Sequence, residues 1–133
     1  MKISTKGRYA LRIMIDLANN IDNGYISLKD ISARQNVSIK YLEQIVSLLN
    51  KAGLLSVARG NNGGYKLNKK PEEYTVGSIL RAAEGDLAPT MCVSEEGTCD
   101  KKAGCITYSF WEGLDNVINE YVDSKYLSDL LVK

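Results

Sequence analysis

Apolar residues recur along the first third of the chain at helical spacing. Between Thr5 and Asn20, Ala10, Leu11, Met14, Ile15, Leu17 and Ala18 form one broad face, with Lys6, Arg8, Arg12 and Asp16 at polar positions. A period near 3.6 residues of this kind predicts an amphipathic helix. The period breaks at IDNGYIS, where Asn23-Gly24 reads as a turn and Ser27 as an N-cap. LKDISARQ resumes it as a short helix turning Leu28 and Ile31 inward. After a tight break at Asn36-Val37, Ser38 can cap the run IKYLEQIVSLLNKAG, in which Ile39, Leu42, Ile45, Val46 and Leu49 keep helical spacing. Gly53 stands where a left-handed C-terminal cap belongs.

Two helices joined by a tight turn predict a helix-turn-helix. The pattern then changes: LLSVARGNNGGYKL holds two strand-like runs, Leu54 to Arg59 and Tyr65 to Leu67, around a Gly/Asn-rich turn. A helix-turn-helix followed at once by a hairpin is a winged helix. Pro71 and the polar residues after it close that unit. Thr75 can cap a helix through VGSILRAAE that Gly85 stops, and residues 86–104 read as loop. Ile106, Phe110, Leu114, Val117 or Ile118, and Tyr121 make one stripe of a long helix reaching about Val122, and Ser124 can cap a last short helix. Too little chain surrounds that stripe to bury it within one subunit. It is therefore expected to form a dimer interface, with packing against the first helix as the alternative. The predicted fold class is mainly α with a small β-hairpin. A winged helix-turn-helix over residues 1–70 is followed by residues 71–133: a helical linker, a cysteine loop at 91–105 and a dimerisation helix, all in one compact unit.

At 133 residues, 44% hydrophobic and 25% charged, the chain suits a single folded domain. No run approaches the ~18 apolar residues a bilayer span needs, so no membrane partner is expected. An odd number of cysteines without a secretion signal points to a reducing cytoplasm rather than a disulfide scaffold. The net charge of +1 conceals an asymmetry: residues 1–70 carry 12 Lys and Arg against 4 Asp and Glu, and residues 71–133 carry 5 against 12. A basic half beside an acidic half directs the first half toward a polyanion.

Double-stranded DNA is the polyanion that a helix-turn-helix suits. Its second helix presents N-terminal residues to base edges while flanking groups grip phosphates. Those residues are Ser38, Lys40, Tyr41, Glu43 and Gln44. Gln44 can pair with adenine, Glu43 can accept from cytosine, and Lys40 can meet a phosphate or a guanine. At the wing tip Arg59 suits a narrow minor groove, and Gly60, Gly63 and Gly64 allow close backbone approach. Catalysis has little support. The chain has no histidine for acid–base work and no phosphate-binding loop ahead of a helix.

The remaining chemistry lies in MCVSEEGTCDKKAGCITYSFW, which holds Cys92, Cys99 and Cys105. The spacing C-x6-C-x5-C matches neither the paired C-x2-C of common zinc sites nor ferredoxin spacing. Three ligands this close can still wrap one small cluster, with Gly97 and Gly104 supplying freedom. A thiol switch is a second reading: Lys101-Lys102 beside Cys99 favour a thiolate, while Glu95, Glu96 and Asp100 oppose it. Free cysteines in an ordinary loop are the third.

The start MKISTKGRYALRIMIDLA, the run SIKYLEQIVSLLNKAGLL, the wing RGNNGGYKL, the stretch TVGSILRAAEGDLAP and the loop ending CITYSFW resemble the bacterial family of iron–sulfur cluster regulators and cysteine metabolism repressors (IscR and CymR). The resemblance covers nearly the whole chain in order. It implies a homodimer joined through the long helix, binding a palindromic operator as a repressor or dual regulator, with Tyr41, Glu43, Gln44 and Arg59 in the operator-contacting helix and wing. In cluster-binding members the three-cysteine loop holds the cluster, here implied to be [2Fe–2S], and cluster state changes which operators are bound. Ordering of the loop would shift the two winged helices relative to one another. A histidine three residues after the last cysteine completes the site in those members; Tyr108 stands there in this chain. Some nitric-oxide-sensing relatives use an acidic residue of the partner's first helix, where this chain has Arg8. The fourth ligand is then Tyr108, a carboxylate such as Glu95, Glu96, Asp100 or Glu112, water or a small thiol. The cysteine metabolism branch responds instead through a partner enzyme of sulfur metabolism, without a cluster.

Overall fold

The computed structural model describes residues 3–94 and 106–131. Cys99, Cys105, Gly97, Gly104, Lys101, Lys102, Glu95, Glu96 and Asp100 therefore lie outside the described residues.

Three helices open the chain: α1 (Thr5–Asn19), α2 (Leu28–Gln35) and α3 (Ile39–Lys51). Each begins at a serine whose hydroxyl accepts a backbone N–H left without a partner in the first turn: Ser4 from Lys6, Ser27 from Asp30, Ser38 from Tyr41. Between α2 and α3 the chain turns at Asn36, the one described non-glycine residue with positive φ (55°). Asparagine tolerates that conformation better than most side chains.

The strands β1 (Leu55–Ala58) and β2 (Gly64–Leu67) pair antiparallel, Leu55 opposite Leu67 and Ala58 opposite Gly64. Ile26 exchanges two 2.8 Å backbone hydrogen bonds with Tyr65, so β2 is paired on both sides. This bridge falls in the IDNGYIS stretch; a one-residue pairing carries no period by which a sequence could announce it.

One hydrophobic core joins Ala10, Ile13, Met14 and Leu17 of α1 to Ile31 of α2 and to Leu42, Ile45, Val46 and Leu49 of α3. Leu55 and Leu67 of the hairpin enter it, as do Tyr74, Leu127, and Ile79 and Ala83 of α4 (Val76–Glu84). The core thus runs across residue 70 without a break. Tyr74 fixes the hairpin root: its hydroxyl lies 2.9 Å from the Leu54 carbonyl and accepts the N–H groups of Asn68 (2.9 Å) and Lys69 (3.1 Å). Burial holds its pKa above the ordinary tyrosine value, against the pull of those two N–H groups.

Helix α5 (Tyr108–Ser124) docks on α4. Ile118 and Val122 pack on Val76, Leu80 and Leu87, while Arg81 donates to Asp123 at 2.7 and 3.0 Å and to Asn119 at 2.8 Å. Gly77 makes this approach possible, since a Cβ there would meet the Asp123 carboxylate, the Arg81 guanidinium and Val122. On the other side Phe110, Val117 and Tyr121 stay 60–63% exposed, with Leu114 half-buried between them. The choice between Val117 and Ile118 resolves by face: Val117 belongs to the exposed stripe and Ile118 to the α4 contact.

The C-terminus differs from the sequence expectation. Ser124 ends α5 and donates to the Tyr121 carbonyl (2.7 Å) instead of capping a new helix. Thr75 bridges Tyr126, with Val76 N–H donating to Lys125 and Leu127 N–H to Tyr74, which holds residues 125–127 extended. A single 3-10 turn, Leu127–Leu130, follows and buries Leu127.

Candidate functional site

On α3 the residues Lys40, Glu43, Gln44 and Ser47 are all exposed, while Leu42, Ile45, Val46 and Leu49 are buried. The solvent-facing row is one ridge at i, i+3, i+4 and i+7 spacing. It combines a cation, two acceptor-bearing side chains and a hydroxyl, a set able to read base edges in a major groove. Ser47 was not singled out in the sequence; extending the same period one turn would have found it. Ser38 is also exposed, though its hydroxyl accepts the Tyr41 N–H (3.2 Å) as a cap.

Tyr41 differs from these. It is half-buried, its ring edge-on to Tyr9 of α1 at 5.9 Å. Arg12 lies 4.7 Å above the Tyr9 ring and donates to the side chain (3.1 Å) and carbonyl (2.9 Å) of Gln35. Tyr41 therefore ties α3 to α1 as well as bordering the exposed face of α3.

Beneath this contact, Asp16 is 4% exposed and accepts three hydrogen bonds: from Arg34 at 2.7 and 2.9 Å and from Gln35 at 2.9 Å. The hydrogen bonds Arg34 donates to Asp16 raise its pKa further, so that guanidinium is charged at any working pH. The arrangement pins α2 across α1 and sets the angle at which α3 is presented. It also engages one cation of the basic half internally.

At the wing, Arg59 and Gly60 are exposed, and the turn closes with Gly63 N–H donating to the Gly60 carbonyl (3.0 Å). Gly63 and Gly64 have a reason inside the chain: a Cβ on Gly63 would strike the Ala58 carbonyl, and one on Gly64 the Ile26 carbonyl. These two glycines let β2 fit between β1 and Ile26.

Glu84, last residue of α4, reaches the start of α1. One carboxylate oxygen accepts the N–H groups of Ser4 (2.7 Å) and Gly7 (3.1 Å) and the Ser4 hydroxyl. A carboxylate there satisfies orphan donors and matches the positive end of the helix dipole. No local signal in the sequence marks this pairing.

Cys92 sits in a 3-10 turn, Met91–Val93, that packs against α5; it is 8% exposed, its sulfur 2.9 Å from the Thr90 hydroxyl. Tyr108 opens α5, and its hydroxyl donates to Glu112 at 3.2 Å. Among the described residues no three His, Cys, Asp or Glu side chains gather into a metal site, and Cys92 is the one cysteine described. As donors, three thiols suit iron–sulfur ligation. A buried thiol beside the α4–α5 contact fits one of those positions.

The Rrf2 family, described as an iron-dependent transcriptional regulator, matches residues 3–133. The HTH-type transcriptional regulator IscR of Aliivibrio salmonicida is 41% identical over 132 residues, spanning 99% of this chain and 78% of that protein. Among solved structures, CymR (YrzC), the global cysteine regulator of B. subtilis, aligns with a TM-score of 0.78 at 42% identity, covering 98% of this chain and 95% of that one. IscR of T. potens aligns at 0.77 and 39% identity, covering 98% and 85%. With a winged-helix fold and a family match over nearly its whole length, the chain belongs to the Rrf2 family of DNA-binding transcriptional regulators, which are not enzymes.

Proposed function

We propose that this chain is a cytoplasmic, homodimeric repressor that binds a palindromic operator and whose affinity for it is set by an iron–sulfur cluster, [2Fe–2S], held by Cys92, Cys99 and Cys105. The observation that carries the DNA reading is the exposed row Lys40, Glu43, Gln44 and Ser47 on α3. Gln44 and Glu43 read bases there, Lys40 and Arg59 grip phosphate or groove, Ser38 and Tyr41 frame the start of the helix, and Gly60, Gly63 and Gly64 shape the wing. Residues 1–70 do the reading and residues 71–133 carry the signal and the dimer contact. The exposed Phe110–Val117–Tyr121 stripe supports pairing through α5, because two copies would cover it.

A bound cluster would supply a redox-sensitive group close to the α4–α5 contact. The chain's own residues define the route from there. Arg81 and Asp123 hold α5 on α4, and Glu84 holds α4 on the start of α1. Tyr9 of α1 meets Tyr41 of the recognition helix. A change in how the Cys92 turn packs against α5 thereby reaches α3 through side chains in contact.

A cluster-free repressor of sulfur-metabolism genes, gated by a partner protein or thiol oxidation, is the second reading. Tyr108 at the family's histidine position favours it, as does the 42% identity to CymR. The DNA reading is tested by selecting an operator from random duplexes and measuring Gln44→Ala on it. Loss of about 1–3 kcal/mol on the operator, with non-specific duplex binding unchanged, is expected; equal affinity for operator and random duplex would overturn it.

A further inference from the structure

At the root of the wing an open groove of about 590 Å³ runs between the hairpin and the turn that follows it. Lys66, Lys69 and Lys70 line it against a single acid, Glu73, and Ile21, 42% exposed, contributes an apolar wall. Two of the lysines are oriented by aromatic rings: Lys66 lies 4.6 Å over Tyr25 and Lys69 lies 5.9 Å over Tyr74. Such contacts hold an ammonium in place while leaving its other face open.

The groove runs from the middle of the hairpin, at the Ser56–Lys66 pair, to Lys69 and Lys70 beyond its root. A strand advances about 3.3 Å per residue, so Lys66 lies up to about 10 Å of chain beyond Gly63 at the wing turn, and Lys69 and Lys70 up to about 20 and about 23 Å. Phosphates would need charge alone, whereas an exposed isoleucine among lysines suits a side chain that brings its own apolar group. We propose that the groove docks an acidic, amphipathic segment of another polypeptide, carboxylates meeting Lys66, Lys69 and Lys70 and an apolar side chain resting on Ile21. None of the residues lining the groove belongs to α3, so the contact would add a protein partner to the DNA contact. It uses the DNA reading only to say which end of the hairpin is free.

The test titrates the full-length, isotope-labelled protein with a synthetic peptide of glutamate, aspartate and leucine, following backbone amide shifts. Shifts are expected at Ser56, residues 66–70 and Glu73. Lys69→Glu combined with Lys70→Glu should weaken the peptide about tenfold, while operator affinity and its salt dependence stay as in the parent. Peptide binding unaffected by the double variant, shifts elsewhere on the surface, or equal binding of a leucine-free peptide would each overturn the proposal. So would a salt slope of operator binding lowered by about 0.9 per substituted lysine, which would make the groove a phosphate contact. The peptide titration needs no operator, so its failure is distinguishable from failure of the DNA reading.

Discussion

Under the proposed pairing through α5, truncating Phe110 to alanine should weaken the dimer while leaving each subunit folded. Phe110 is 63% exposed in the single chain, so most of its side chain has nothing to gain until a second copy covers α5. Full burial of such a side chain is worth about 1.5–3 kcal/mol, and the fraction still exposed corresponds to about 1–2 kcal/mol per copy. A two-fold interface contains the residue twice, giving about 2–4 kcal/mol, or roughly a 30- to 1000-fold weaker dimer. Within the subunit the loss is smaller: Phe110 sits edge-on to Trp111 at 5.0 Å and 83°, a contact worth about 0.5–1.5 kcal/mol. Sedimentation velocity over a concentration series reads the dimer constant, and far-ultraviolet circular dichroism reads the fold. Operator affinity should fall with dimerisation, since two half-sites require two recognition helices. A Phe110→Ala protein with parental dimer constant and intact fold would refute the assignment of this stripe.

Other substitutions test the internal supports. Asp16→Ala removes the acceptor of three hydrogen bonds, two from Arg34; because the Arg34 side chain is 40% exposed and can regain water, the expected loss is about 2–3 kcal/mol in urea unfolding, not the larger cost of a fully buried pair. Gly77→Ala sets a helix-propensity gain of about 1 kcal/mol against overpacking of about 1–3 kcal/mol and a displaced Arg81–Asp123 pair. Net destabilisation is expected, reduced when Asp123→Ala clears the obstructing carboxylate. A Gly77→Ala chain more stable than its parent would contradict the packing described for α4 and α5. Because burial raises the Tyr74 pKa, the folded chain holds that proton more tightly than the unfolded one. Its contribution is therefore present below the ordinary tyrosine pKa and lost as pH rises through the raised one. The stability curve should fall on the alkaline side, and Tyr74→Phe should flatten that limb while costing about 1–3 kcal/mol at neutral pH for the amides left unpaired.

What the sequence made legible was local. Ser27, Ser38 and Thr75 announce helix starts, and each accepts the N–H its position predicts. The period of α3 separates the buried Leu42 and Ile45 from the exposed Lys40, Glu43 and Gln44. What it hid depends on residues far apart in the chain. Glu84 reads as the end of one helix and serves as the cap of another. Tyr41 lies among DNA-facing candidates, and its partial burial follows from Tyr9. Gly63 and Gly64 look like a flexible tip until Ile26 and Ala58 are placed beside them. The extended exit at Lys125 is set by pairing with Thr75, which no window around Ser124 contains.

The most direct test of cluster control measures operator affinity on one anaerobic preparation before and after removal of iron, with iron and sulfide counted per chain. About two irons and two sulfides per chain and roughly a 5- to 150-fold change in affinity on stripping are predicted. Replacing Cys92, Cys99 and Cys105 together with alanine should abolish the change. Protein that stays free of iron after reconstitution, or that binds its operator equally well in both states, would contradict the cluster account and leave the cluster-free repressor, gated by a partner protein or thiol oxidation, in its place.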